Sequence, residues 1–151
     1  MEIKLQMEAD PNHPDRYKDL EARMEKAVDA AYKGMMIVQN VIGGYMYLRS
    51  LIDPVDLLYK FYDDPELIHD RMKTWSRLAD AVIEKHQKQV TLDEIFSAED
   101  ICYNHGSLIS HDMIKKFLFP YQQLIWNARR RQMDKSRKLH IQIDTDGNAV
   151  P

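Results

Sequence analysis

Lys138-Leu139-His140-Ile141-Gln142-Ile143-Asp144, followed by Thr145-Asp146-Gly147-Asn148, is the stretch that decides the fold class. Period-two alternation separates Leu139, Ile141 and Ile143 from His140, Gln142 and Asp144, the pattern of a strand with one apolar and one polar face. The residues after it form a turn, because Asp, Gly and Asn tolerate positive φ. In a parallel barrel the apolar set would pack on helices and the polar set would point at the barrel axis. Polar groups held there cost stability unless paired, and are retained for a ligand more often than for packing. The alternative is an edge strand whose polar face lies in water.

Two more strands precede it. Met35 to Ile42 is a nearly continuous apolar run, as expected of a parallel strand covered on both faces. Gly43-Gly44 closes it with backbone freedom where a loop would cross a barrel mouth. Leu92 to Ser97 is the second strand, ending in Ala98-Glu99-Asp100. Helical patterns fill the gaps. Tyr17, Leu20, Met24, Ala27, Val28 and Ala31 recur at helical spacing, with Gly34 placed for a left-handed cap. Asp53-Pro54 starts a helix through Leu57, Leu58 and Phe61, and Asp64-Pro65-Glu66 repeats the device. Ile68, Met72, Trp75, Ala79, Val82 and Ile83 then carry one apolar stripe for about six turns. Ser110 caps a further helix with Ile114, Phe117 and Leu118, which Pro120 restarts at a bend before Tyr121, Leu124, Ile125 and Ala128.

Strands that each feed a helix give an α/β class. We expect an incomplete TIM-type (β/α) barrel with about three parallel strands and flanking helices, forming one partial domain over 1–151 with an extended entry over 1–14. A complete barrel needs roughly 250 residues, and this chain has 151. Loops at the C-terminal ends of such strands are where these folds hold ligands.

Composition narrows the function classes. Hydrophobic residues at 44% and charged residues at 30% are ordinary for a globular domain and exclude a disordered or low-complexity chain. A formal charge of −3 supplies no field that would attract nucleic acid or an acidic membrane. The single Cys102 makes no internal disulfide and suits a reducing compartment. Met1-Glu2-Ile3-Lys4-Leu5-Gln6 alternates polar and apolar and lacks the apolar core of a signal peptide, and no later run is long enough to span a bilayer. A cytoplasmic protein is expected.

Several side chains are candidates for chemistry. Glu99 and Asp100 are adjacent and point to opposite faces, so at most one faces the mouth; the alternative is a carboxylate that caps a helix start. Tyr45, Tyr47 and Arg49 offer aromatic faces and a guanidinium that suit a planar, carboxylate-bearing molecule, or else are core tyrosines beside a surface arginine. His105, between Asn104 and Gly106, is placed to donate to a ligand or simply to be solvated. The six histidines show no zinc-like spacing with Cys102, so no metal site is expected. Arg129-Arg130-Arg131 complements the negative end of a helix rather than nucleic acid, since no stacking aromatics alternate with it.

The ordered set Gly44-Tyr45 to Leu48-Arg49, Asp53-Pro54 with Leu57-Leu58, and Tyr62-Asp63-Asp64-Pro65-Glu66-Leu67 resembles the uroporphyrinogen decarboxylase and corrinoid methyltransferase superfamily. Ala98-Glu99-Asp100-Ile101, Gly106-Ser107-Leu108-Ile109-Ser110, Phe117-Leu118-Phe119-Pro120-Tyr121 and Asp144-Thr145-Asp146-Gly147-Asn148 agree in order and spacing. The likeness runs from about Pro11 to the end and corresponds to the middle of an eight-stranded barrel. It implies a tetrapyrrole substrate, or a corrinoid taken as substrate or carried on a partner protein, with no intrinsic cofactor. On that likeness Asp100, His140 and Asp146 are the expected catalytic residues, and Tyr45, Arg49, Glu99, His105, Asp144 and Asn148 the expected substrate contacts.

Departures mark which branch is meant. The segment bringing the decarboxylase's arginines and aspartate has no counterpart, and Ser50 or a neighbour stands near the place of that family's tyrosine. The methyltransferase zinc site begins with His-x-Cys, where this chain has His140-Ile141-Gln142. The resemblance therefore favours the branch whose strand ends in an acidic Asp-Gly turn. A rival expectation is a non-catalytic half-barrel that forms a homo-oligomer or pairs with a complementary chain; nucleic acid and membrane are not expected partners.

Overall fold

The computed structural model of the chain describes residues 10–148. Three strands, β1 (Val38–Ile42), β2 (Glu94–Ala98) and β5 (His140–Asp144), form a parallel sheet in the order β1-β2-β5. A small antiparallel hairpin, β3 (Cys102–Tyr103) and β4 (Gly106–Ser107), follows β2. The class is α/β, with a three-stranded parallel sheet and flanking helices.

The helices form where caps and apolar stripes dictate. Helix α1 (Leu20–Tyr32) ends at Gly34, whose φ of +80° is the left-handed cap expected from the sequence. In α3 (Pro54–Asp63) the Asp53 carboxylate accepts from the Val55 and Asp56 amides at 2.9 and 3.4 Å. In α4 (Pro65–Gln87) the Asp64 carboxylate accepts from Leu67 N at 3.2 Å. Ser110 Oγ accepts from Met113 N at 3.2 Å, starting a helical turn (His111–Met113) that continues as a π turn (Ile114–Leu118). A 3-10 turn (Phe119–Tyr121) absorbs Pro120 before α5 (Gln123–Arg131) begins. The arginines in the last turn of α5 are held locally: Arg129 donates to the Arg137 carbonyl at 3.0 Å and Arg131 pairs with Asp80 at 2.6 Å.

Two expectations are revised. No loop follows Gly43; α2 (Gly44–Leu51) begins at once, because the extended backbone of Gly43 is already an N-cap conformation. The entry is not extended throughout: Asp10–His13 is turn-like and Pro14–Tyr17 is a 3-10 helix whose start is capped by His13. Residues 1–9 of that entry lie outside the described residues.

Core and sheet meet on one side only. Leu48, Leu57, Ile68, Met72, Ile83, Leu92 and Ile95 are fully buried among Phe61, Trp75, Phe117 and Leu124. Val41, Ile95, Ser97, Ile141 and Ile143 face Trp75 and Leu124 on the helix side of the sheet. Alternation then puts Val38, Asn40, Ile42, Glu94, Phe96, Ala98, His140, Gln142 and Asp144 on the opposite face. Among the described residues no helix covers it, and Phe96 lies outside the main core cluster.

The layers are stitched by a buried carboxamide. Gln132, 2% exposed, accepts from Leu92 N at 3.1 Å and donates to the Leu92 carbonyl at 2.5 Å, while Gln87 donates to it at 3.1 Å. Truncating it strands the Leu92 N–H and carbonyl in the interior and leaves Gln87 Nε2 with only its bond to the Ala128 carbonyl, at 2.8 Å. Gln132→Ala is therefore expected to lower unfolding free energy by about 2 kcal/mol, read from a lower urea midpoint at unchanged slope.

Candidate functional site

At the C-terminal ends of the strands the chain gathers most of its acidic candidates. The turn from β2 carries Glu99 inward beneath the start of α2. Its Oε1 accepts from Tyr45 N at 2.6 Å, and the Gly44 and Met46 amides also draw on the carboxylate. A Cβ on Gly43 would overlap Glu99 Oε2, so glycine is what lets the carboxyl approach. Glu99 is 7% exposed. Burial pushes its pKa up to about 7, against the smaller opposing pull of the three helix amides. The nearby Asp100 charge adds to the rise. The result is a carboxyl that holds or releases a proton near neutral pH while fixed to a helix N-terminus.

Around it, backbone bonds lace the strand ends together. Gly43 N donates to the Ala98 carbonyl at 2.7 Å, and Glu99 N to the Asp144 carbonyl at 2.7 Å. Ile101 N donates to Thr145 Oγ1 at 3.2 Å, and Asn148 N to the Tyr103 carbonyl at 2.8 Å. The β3–β4 hairpin and the turn after β5 thus lie side by side. Gly147, with φ +85°, passes so close to the Tyr103 backbone that a Cβ would stand 2.6 Å from it.

The candidate residues divide by position. Asp100 is half-buried, and Asp144, Asp146 and Asn148 are exposed at this end. His105 is exposed in the hairpin, edge-on to the Tyr103 ring at 5.9 Å between centroids. His140 starts β5 at the far end, about 13 Å of strand from Asp144, and its amide donates to the Asp93 carbonyl at 2.8 Å. Tyr45 is 1% exposed and packs in the core, 6.4 Å from the Phe61 ring, with burial raising its hydroxyl pKa. Its ring is not presented at the strand ends. Arg49 sits along α2 with Nη1 3.5 Å from Met46 Sδ.

Two features escaped sequence reading. On the uncovered sheet face the register sets Asn40, Phe96 and Gln142 in one row across the three strands. An aromatic ring flanked by two carboxamides results, and period-two alternation through Glu94, Phe96 and Ala98 was the signal for it. At the opposite end of the sheet, Asp93 accepts from Ile37 N at 2.8 Å and pairs with Arg137. That contact joins positions far apart in the chain and has no local signature.

Among the described residues no three or more His, Cys, Asp or Glu side chains gather as metal ligands, and no helix is long and apolar enough to cross a membrane. Comparison with family models, with curated proteins and with solved structures gave no match.

Proposed function

We propose that the chain forms part of a parallel (β/α) barrel of the uroporphyrinogen decarboxylase and corrinoid methyltransferase type, and that the uncovered sheet face binds a tetrapyrrole ring. The observation that carries this reading is the row Asn40–Phe96–Gln142. A flat macrocycle stacks on an aromatic side chain, and the flanking carboxamides donate to its peripheral carboxylates. Asp144, in the next row towards the strand ends, and Asp100 and Asp146 beyond it supply acids at the loop end. There they would stabilise a cationic pyrrole during loss of carbon dioxide, or orient a corrinoid carried by a partner protein during methyl transfer. Glu99 orders that end by anchoring α2. Titrating the protein with uroporphyrin III and, separately, with methylcobalamin while following absorbance tests the reading. Binding of one of them is expected, weakened at least about tenfold by Phe96→Ala. Absence of binding by both, or binding unchanged in Phe96→Ala, would sink the proposal.

A second reading has its own support. Among the described residues the sheet is open on one face and at both edges, and Val38, Ile42 and Ile143 are 45%, 46% and 60% exposed. Parallel sheets are ordinarily covered on both faces, so an interaction module that closes the sheet against another copy or a complementary chain fits equally well with these exposures. Light scattering on the eluting protein separates the two, since a stable monomer removes the self-associating form.

A further inference from the structure

Strand β5 is tied to the sheet from its inner side. His140 N donates to the Asp93 carbonyl at 2.8 Å, and the Asp144 carbonyl accepts from Glu99 N at 2.7 Å, both towards β2. Beyond the strand Arg137 pairs with Asp93, and Thr145 Oγ1 accepts from Ile101 N at 3.2 Å, so the flanking segments are drawn the same way. Alternation then turns the amides and carbonyls of Ile141 and Ile143 to the outer side. All five residues of β5 are exposed, Ile143 at 60%. Leu139 to Asp144 carries neither the proline nor the lysine that commonly blunts a sheet edge. We propose that a second copy of this chain adds its own β5 along this outer side, antiparallel, across a two-fold axis at Gln142. The inference rests on the reading of the sheet as an interaction module, and specifies the partner and the edge that it uses.

The strand is self-complementary in one register. With Gln142 opposite Gln142 of the second copy, Ile141 meets Ile143 and His140 meets Asp144, and the two-fold axis repeats each pair. Ile141 and Ile143 have the outward backbone groups, so they form the hydrogen-bonded pairs, while Gln142 forms the non-hydrogen-bonded pair on the axis. The isoleucines cover one another on the helix side, and on the open face an imidazole meets a carboxylate. The same register sets Lys138 towards Asp146. Sliding by two residues either way puts Gln142 against His140 or Asp144 and keeps only one of the two kinds of charge match. Strand β1 offers nothing comparable. On its outer side the Asn40 and Ile42 carbonyls already accept from Gln39 Nε2 and Trp75 Nε1, each at 2.8 Å, and Val38 to Ile42 carries no charge. Pairing through β5 gives one continuous sheet in the order β1-β2-β5-β5-β2-β1, with the helices of both copies on one side.

Sedimentation of the intact protein between about 1 μM and 1 mM is the first test. A pair of five-residue strands is a small interface, so a mass that rises from monomer to dimer across this range is expected. H140D sets carboxylate against carboxylate and is expected to weaken the dimer at least about tenfold, while H140D/D144R restores it in the same register. Cross-linking then reads the geometry. In a Cys102→Ser background, Q142C is expected to give a covalent dimer on mild oxidation, because a non-hydrogen-bonded pair stands about 4.5 Å apart between Cα atoms, within disulfide reach. H140C lies about 13 Å of strand from its own counterpart, and is expected to cross-link with D144C but not with itself. A monomer at every concentration overturns the inference together with the self-associating form of the second reading. A dimer whose Q142C copies do not cross-link, or that H140D leaves unchanged, overturns the β5 pairing alone. The substituted strand positions are exposed, and the unsubstituted protein's concentration dependence decides even if a variant fails to fold.

Discussion

Gly43→Ala is expected to cost about 3 kcal/mol or more, a large fraction of the roughly 5–15 kcal/mol that holds an ordinary domain folded. The cause is contact rather than backbone angle, since Gly43 has φ −64° and ψ 159°, a conformation open to any residue. An added Cβ would stand 2.5 Å from the Ala98 carbonyl oxygen and overlap Glu99 Oε2. Neither neighbour can yield cheaply. The Ala98 carbonyl is held at 2.7 Å by Gly43 N itself, and the Glu99 carboxyl is pinned by the amides of α2. Relief would mean parting β1 from β2 at the site or pulling α2 off its cap. Two controls isolate the mechanism. At Gly44 the Cβ meets the Met72 methyl at 2.6 Å, the end of a flexible side chain, so Gly44→Ala is expected to cost less. At Gly34 nothing lies within 4 Å, and Gly34→Ala carries only the penalty of positive φ, about 1 kcal/mol. Urea unfolding of the three variants should rank Gly43 well above the others. A Gly43→Ala protein as stable as Gly34→Ala would mean that the strand ends give way around the added Cβ.

The same neighbourhood marks the limit of what the sequence discloses. The Asp-Pro starts at Asp53 and Asp64, the left-handed Gly34 and the alternation of Leu139 to Asp144 are local signals, each complete within a few residues, and the corresponding caps, end and strand all occur. The side chains of β5 show where local signals stop. Alternation sorts Ile141 and Ile143 onto the helix side, yet they are 37% and 60% exposed, because among the described residues the strand lies at the sheet edge and pairs on one side only. Position in a sheet depends on pairing across the whole chain. Tyr45 makes the same point: read as a loop residue it is a candidate ligand contact, but helix α2 starts at Gly44 and turns the ring into the core. Gln132 was illegible for a third reason. Its partners are the backbone of Leu92 and the side chain of Gln87, about forty residues away, and a glutamine after an arginine run reads as solvated surface. For Glu99 and Asp100 the sequence says that they diverge but not which turns inward, since the chain leaves the strand at Ala98.

Glu99→Gln is expected to abolish a fall in stability between about pH 4.5 and pH 7. Burial raises the pKa of Glu99 from 4.5 to about 7, so over this window the native protein keeps a proton that the unfolded chain has released. The sign follows: the contribution of Glu99 is fully present below pH 4.5, declines as pH rises, and is lost above the native pKa. A shift of this size corresponds to about 3 kcal/mol. Glutamine copies the neutral acid, because its carbonyl oxygen can accept from Tyr45 N while its amide group carries no charge to desolvate. Unfolding free energies of the two proteins should therefore run close together at pH 4.5 and separate by about 3 kcal/mol at pH 8, with the variant the more stable. His86 works in the opposite sense, its pKa lowered by burial and by Arg23, so that its contribution is lost as pH falls below about 6.5. Both proteins carry His86, and its effect cancels in the difference between them. A difference that stays flat across the range would mean that Glu99 is ionised throughout, held as a carboxylate by the α2 amides. Burial would then be the weaker influence, and the strand ends would carry a fixed negative charge instead of a proton exchangeable near neutrality. Such a site could orient a cationic ligand group, but Glu99 would have no proton to give at pH 7.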